Sequence, residues 1–255
     1  MIEVTTPAPG VALVTLRRPQ RRNALDLPGF RGLAQAWRRL AAQGQTRVAV
    51  VTGERDFSSG ADLAVFPNQV AEALRGGEAH DHLWGDIDGA LLRDACTPFP
   101  VIAAVEGICF GAGLELVGAT DIRVAGESAR FSAPEVRHGF MASGGTVARL
   151  PRQLGYPAAM QILLTGGRFS AAQMAQWGFL GEVVPDGQAL DRALALATEI
   201  AAHPPVAVAA IKRAVGEGLR GTLADAFAIE KRVSEELFSP SPVSPPAPAP
   251  TDRTS

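Results

Sequence analysis

Cysteine, lysine and histidine are scarce in these 255 residues, and each scarcity removes a class of function. The two cysteines, Cys96 and Cys109, show neither CxxC spacing nor a neighbouring ligand cluster, which argues against a disulfide framework and a zinc site and implies two buried, reduced thiols. Only Lys212 and Lys231 stand against 22 arginines, and the formal net charge is −2. No basic field exists for nucleic acid, so an anionic ligand has to be held by a local group of arginines. No apolar run approaches the roughly 18 residues that cross a bilayer, and MIEVTTPAPG lacks the basic start and apolar stretch of a secretory leader. The chain is therefore expected to be cytoplasmic, with neither a membrane nor a nucleic acid as partner.

Familiar catalytic motifs are missing too. FGAGLE holds a Gly-x-Gly after a strand, but without the third glycine and the distant acid of a dinucleotide fold. No G-x-S-x-G elbow is present, and no Cys, His and Asn order suggests a nucleophile. His80 and His82 fall among Asp81, Asp86 and Asp88, which reads as a solvated surface helix and not a metal site. No metal is expected.

What is present is an α/β pattern. VALVTL (11 to 16), RVAVVT (47 to 52) and FPVIAAVEG (99 to 107) are strand-length apolar runs. Between the first two, Phe30, Leu33, Ala34, Trp37 and Leu40 recur at helical spacing behind Asp26 and Pro28, which predicts a helix over 27 to 42. GAGLELVGA reads as a glycine turn into a helix, and DIRVAG and ARFSAPE as two shorter strands. Residues 64 to 95 carry partial helical spacing without clear limits. Beyond Gly144 helices dominate, interrupted by the short strand EVVP. One domain is expected over 1 to 238, with a core over 1 to 200 and C-terminal helices over 201 to 238. The proline-rich segment 239 to 255 cannot bury enough surface to offset its ordering entropy, which predicts a disordered tail.

Two acids stand out. Glu115 lies between leucines in a stretch otherwise free of charge. Either it faces water, or it shares the side of Gly118 and Ala119 and packs there or lines a cavity. An ionised carboxylate buried alone costs several kcal/mol, so burial requires a partner, a proton or a function. Glu135 follows Pro134 at the end of a predicted strand, within reach of Arg137 and His138.

The stretch IAAVEGICFGAGLELVGATDIRVAGESARFSAPEVRHGF resembles the core signature of the enoyl-CoA hydratase/isomerase (crotonase) family. RRPQRRNAL and DFSSGADL upstream, and GGTVARLPRQLG and LLTGGRFSAAQMAQWGFLGEVVP downstream, are similar to further motifs of that family, so the resemblance covers about residues 4 to 238. It implies a spiral of ββα units with a helical C-terminal part, and an enoyl-CoA hydratase that adds water across the C2–C3 double bond of a trans-2-enoyl-CoA. Glu115 and Glu135 would be the catalytic pair, and the backbone N–H groups of Ala61 and Ala112 the oxyanion hole. Arg21, Arg22, Ala24, Ser59, Gly60, Asp62 and Leu63 would bind CoA, and Phe66, Trp84, Gly111 and Phe140 would line the acyl pocket. The resemblance further implies an acyl-CoA thioester as partner, no cofactor beyond the coenzyme A of the substrate, and a homotrimer or dimer of trimers. The alternatives it leaves open are an isomerase, an acyl-CoA hydrolase or decarboxylase, and a non-catalytic CoA-binding paralogue. One departure is local: Ala142 and Ser143 stand in the loop after Glu135 where proline and glycine are common in the family.

Overall fold

The apolar runs of the first half form strands that are covered on both faces. The computed structural model describes residues 1–93 and 97–238. Cys96 and the segment 239 to 255, expected above to be a thiol and a disordered tail, lie outside the described residues. The chain divides into two units, Met1–Ala209 and Ala210–Ser255. In order, the first holds β1 (Ile2–Ala8), β2 (Val11–Leu16), α1 (Leu27–Gln43), β3 (Val48–Gly53), α2 (Phe66–Arg75), α3 (His80–Ala90), β4 (Val101–Val105), β5 (Ile108–Phe110) and α4 (Ala112–Ala119). It continues through β6 (Ile122–Gly126), β7 (Arg130–Ser132), α5 (Thr146–Gln153), α6 (Tyr156–Thr165), β8 (Phe169–Ser170), α7 (Ala171–Gln176), β9 (Glu182–Val184) and α8 (Ala189–Ala201). α9 (Pro205–Gly218) crosses into the second unit and precedes α10 (Leu223–Phe238).

A six-stranded sheet of order β1-β2-β3-β4-β6-β9 is parallel from β2 onward, with β1 antiparallel on its edge. Alternate residues of one strand serve two cores. Ala49 and Val51 pack with Phe30, Leu33 and Trp37 of α1, whereas Val48 and Val50 pack with Ala189, Ala193 and Ala197 of α8. Each large side chain buried in this way contributes about 1.5–3 kcal/mol. The alanines of α8, four residues apart, give that helix a smooth face for close approach to the sheet. α1 starts where expected, because the Asp26 carboxylate accepts from the Gly29 N–H at 2.9 Å.

A second sheet, β5-β7-β8, positions the site. Twice, a strand of the large sheet is followed by a strand of the small sheet and then by a helical segment: β4, β5, α4, and β6, β7, the 3-10 turn Pro134–His138. β5 and β7 run parallel with Phe110 opposite Ser132. Glu115 follows the first by five residues and Glu135 the second by three, so paired strands deliver both acids to adjoining places.

The structure extends the sequence reading in four respects. β1 was not foreseen, because Thr5, Thr6 and Pro7 obscure its pattern; proline is tolerated there on an edge strand that shifts register between Thr5 and Ala8. β5 is too short to show a period. The strand expected over 99 to 107 is confined to Val101–Val105. Residues 64 to 95, whose spacing sets no clear limits, hold α2 and α3, and the helical stretch expected beyond Gly144 opens with α5 and α6.

Within the second unit the end of α9 and α10 pair through Arg213 with Glu236 and Arg232 with Glu217, and Gly218 lies beside Ala226. Ile211, Val215, Leu219, Phe227 and Phe238 are exposed.

Candidate active site

Two loops meet at the end of the small sheet. Ser58 N–H donates to Ile108 O at 3.0 Å and Phe110 N–H donates to Ser58 O at 2.9 Å, so the loop after β3 runs alongside β5. The Ser58 hydroxyl donates to Asn23 O at 2.8 Å and accepts from Gly60 N–H at 3.1 Å. Gly60 has φ +96°, and a Cβ on it would lie 2.9 Å from Phe110 O and 3.2 Å from Ala112 N. Only glycine permits that approach. Ala61 and Ala112 therefore occupy adjoining turns, and neither N–H meets an acceptor among the described residues. Ala112 is also the first residue of α4, where unmatched N–H groups carry the positive end of the helix.

Glu115 does not face water: it is 6% exposed, and its Oε1 accepts from Gly144 N–H at 2.6 Å. Burial, and then the nearby Glu135 carboxylate, push its pKa up from 4.5 to about 7, against the hydrogen bonds from Gly144 and Thr146 and the charge of Arg149. Glu135 is 7% exposed, burial raises its pKa as well, and its Oε2 has no hydrogen-bond partner. Of the two partners considered for it, His138 acts to lower that pKa, while the Arg137 guanidinium donates to Thr165 O at 3.1 Å. The two acids titrate as a pair. The hydrogen bonds from Gly144 and Thr146 favour the charge on Glu115; the Glu135 backbone N–H favours the charge on its own carboxyl as well, but the bare Oε2 suits a neutral acid there.

Both carboxyl groups line one cavity of about 420 Å³. Ala61, Ala112, Gly60, Gly111, Ser59 and Leu63 line it too, as do the expected acyl-pocket residues Phe66, Trp84 and Phe140. Leu91, His138 and Ser143 line it as well, and the sequence reading missed Phe30 and Ile87 on its apolar wall and Asp88 and Arg93 among its polar groups. Periodicity marked Phe30 only as core, and nothing in the sequence distinguished Ile87, Asp88 or Arg93 as residues of the site.

The sequence profile of the Enoyl-CoA hydratase/isomerase family matches residues 7–244. The chain belongs to the enoyl-CoA hydratase/isomerase (crotonase) family. Over 229 residues it is 39% identical to enoyl-CoA hydratase EchA19 of Mycobacterium tuberculosis, covering 89% of this chain and 84% of that protein. It is 36% identical over 227 residues to the 2,3-dehydroadipyl-CoA hydratase of Escherichia coli, covering 88% and 85%. The crystal structure of an enoyl-CoA hydratase from Bacillus anthracis superposes with a TM-score of 0.84 at 31% identity, over 92% of this chain and 89% of that one. The architecture described above is thus the α/β crotonase fold with C-terminal helices. Membership makes this chain a crotonase-family enzyme and implies that it binds an acyl-CoA.

Four of the residues expected to bind CoA do not line the cavity of this crotonase. Ala24 is buried. The Asp62 carboxylate is buried against Arg18, whose Nη1 donates to it at 2.8 Å, and Arg21 Nε lies 3.6 Å from the same oxygen. Arg21 and Arg22 extend outward with side chains 49% and 67% exposed, Arg22 near Asp56 at 3.8 Å. Their turn is pinned by Asn23, whose amide donates to Asp56 O at 2.6 Å and whose Oδ1 accepts from Arg18 N–H at 2.7 Å. Among the described residues one group has the spacing of metal ligands, Glu78, His82 and Asp86, with donor atoms within 4.8 Å of one another. Arg31 pairs with Glu78 and Arg38 donates to Asp86 at 2.8 Å, so cationic side chains already neutralise it. No single helix among the described residues is long and apolar enough to cross a membrane.

Proposed function

We propose that this crotonase hydrates a trans-2-enoyl-CoA. The observation that carries the proposal is the pair of buried carboxyl groups, Glu115 and Glu135, lining one cavity with the unpartnered N–H groups of Ala61 and Ala112. The Glu115 carboxylate takes a proton from water as the water oxygen bonds to C3. The electrons of the double bond move to the thioester oxygen, where the two N–H groups stabilise the oxyanion. As the carbonyl re-forms, the neutral Glu135 delivers its proton to C2, and proton exchange between the acids through solvent restores the starting state. Several relatives at 34–39% identity are named hydratases, which supports the same reading.

Phe66, Trp84, Phe140 and Gly111 receive the acyl chain, with Phe30, Ile87 and Leu91 completing the apolar wall. Ser59, Gly60 and Leu63 contact the thioester end of CoA, above a loop supported by Ala24 and Asp62, and the exposed forks of Arg21 and Arg22 hold its phosphates. The reaction needs no metal and no cofactor beyond the substrate's own coenzyme A. We assign the protein to the cytoplasm as a homotrimer or dimer of trimers; exposed Met141 and Leu164 of the first unit supply apolar surface for that assembly.

Loss of the conjugated enoyl-thioester absorbance of crotonyl-CoA tests the proposal. Turnover is expected in the parent protein and a loss of at least about a hundredfold in Glu115→Gln and in Glu135→Gln. Double-bond migration in a 3-enoyl-CoA without hydration, thioester hydrolysis, or CoA binding without any turnover would each overturn it.

A further inference from the structure

We propose that Arg149 is a positioning residue that ties Glu115 to the wall of the acyl cavity, an inference that rests on the hydratase reading above. Its guanidinium joins two segments far apart in sequence. Nη2 donates to Leu92 O at 2.7 Å and to Arg93 O at 2.9 Å, while Nη1 donates to Gly144 O at 3.4 Å. The N–H of the same Gly144 donates to Glu115 Oε1 at 2.6 Å. One residue is thus held by Arg149 through its carbonyl and holds Glu115 through its amide.

The surrounding backbone is shaped for this link. A Cβ on Gly144 would overlap the Leu91 side chain and come within 2.5 Å of the Glu115 carboxylate, and a Cβ on Gly145, at φ +114°, would overlap the Arg149 guanidinium. The paired glycines leave room for the carboxylate on one side and the guanidinium on the other. Leu92 has φ +51°, a left-handed conformation that a branched side chain rarely adopts, and Arg149 captures its carbonyl. Its neighbours Leu91 and Arg93 line the acyl cavity. Displacement of that wall by an acyl chain is therefore transmitted through Arg149 to the loop that aims Glu115.

The link also has an electrostatic part. The charged groups acting on Glu115 are Glu135 from the 3-10 turn, which raises its pKa, and Arg149 from α5, which lowers it. Asp88, paired with Arg93 at 3.0 Å, and His138 line the same cavity. A lysine at position 149 would keep the positive charge but present a single point donor in place of a fork that spans three carbonyls.

Crotonyl-CoA kinetics of Arg149→Lys and Arg149→Met test the link. Both variants are expected to lose roughly tenfold or more in kcat with KM changed by less than about threefold, because the catalytic group is displaced and not the CoA contacts. In Arg149→Met the acid limb of the kcat profile moves to higher pH, since the charge that favours ionised Glu115 is gone, and in Arg149→Lys it stays near the parent's. Folded variants with parental kcat, or an unmoved limb in Arg149→Met, would overturn the inference. The pH dependence of thermal stability, compared with and without Glu115→Gln in the parent and in Arg149→Lys and Arg149→Met, reads the pKa of Glu115 without catalysis. A parent without turnover would sink the hydratase reading alone, whereas an unchanged Glu115 pKa in Arg149→Met would sink this one.

Discussion

Replacing Glu115 with glutamine removes an acid whose burial costs the fold more as the pH rises. The carboxyl is 6% exposed, and its pKa stands at about 7 instead of 4.5, chiefly through desolvation and next through Glu135. A raised value means that the native state keeps this proton where the unfolded chain has lost it. Stability therefore falls as the pH climbs from about 4.5 to about 7 and levels off above. With those two values the parent protein carries a cost of about 1 kcal/mol near about pH 5 and about 3 kcal/mol near about pH 8. Glutamine retains an oxygen for the Gly144 N–H, so the variant escapes the cost without losing that bond. Thermal unfolding at matched protein concentration should show Glu115→Gln ahead of the parent by roughly 6–12 °C at the alkaline end and by a third of that at the acid end. A gain of the same size at both pH values, or a loss at the alkaline end, would refute the reasoning, because it would mean that Glu115 ionises in the fold as easily as in water. Turnover moves the opposite way, so the variant is a more stable protein without the activity.

Gly144→Ala places a methyl group against Leu91 and the Glu115 carboxylate, and should cost about 1–3 kcal/mol in urea unfolding together with roughly tenfold or more in kcat; a parental kcat would show that Glu115 tolerates displacement. Arg123 donates to Gly118 O, Thr120 O and Phe179 O at 3.1 to 3.2 Å and stacks 4.4 Å from the Phe179 ring, which anchors the C-terminal end of α4. Gly118 O keeps its bond from the Gln153 amide at 2.9 Å, so Arg123→Met should lower unfolding stability by about 2–3 kcal/mol through the Thr120 and Phe179 carbonyls left unpaired, with hydrogen exchange accelerated in α4 first.

The elements that could be read directly are those whose pattern is local. α1 shows its period because one face is core and the other solvent, and β3 and β4 are continuous apolar runs because helices cover both sides of the sheet. β1 escaped because an edge strand paired on one side alone tolerates Thr5, Thr6 and Pro7, and β5 because three residues cannot display a period. The pair of buried acids belongs to a different kind of information. No local pattern states that Phe110 pairs with Ser132, yet that register is what brings Glu115 and Glu135 to one cavity. The family resemblance named both acids because it carries that pairing implicitly, whereas composition and spacing alone favour a structural reading of Glu115. Arg149 shows the remaining gap. It acts on main-chain carbonyls of Leu92, Arg93 and Gly144, and carbonyls are the same in every residue, so its targets leave no mark in the sequence. What a close reading could have flagged is the glycine pair beside it: two adjacent residues without Cβ are needed only where something on each side must come close.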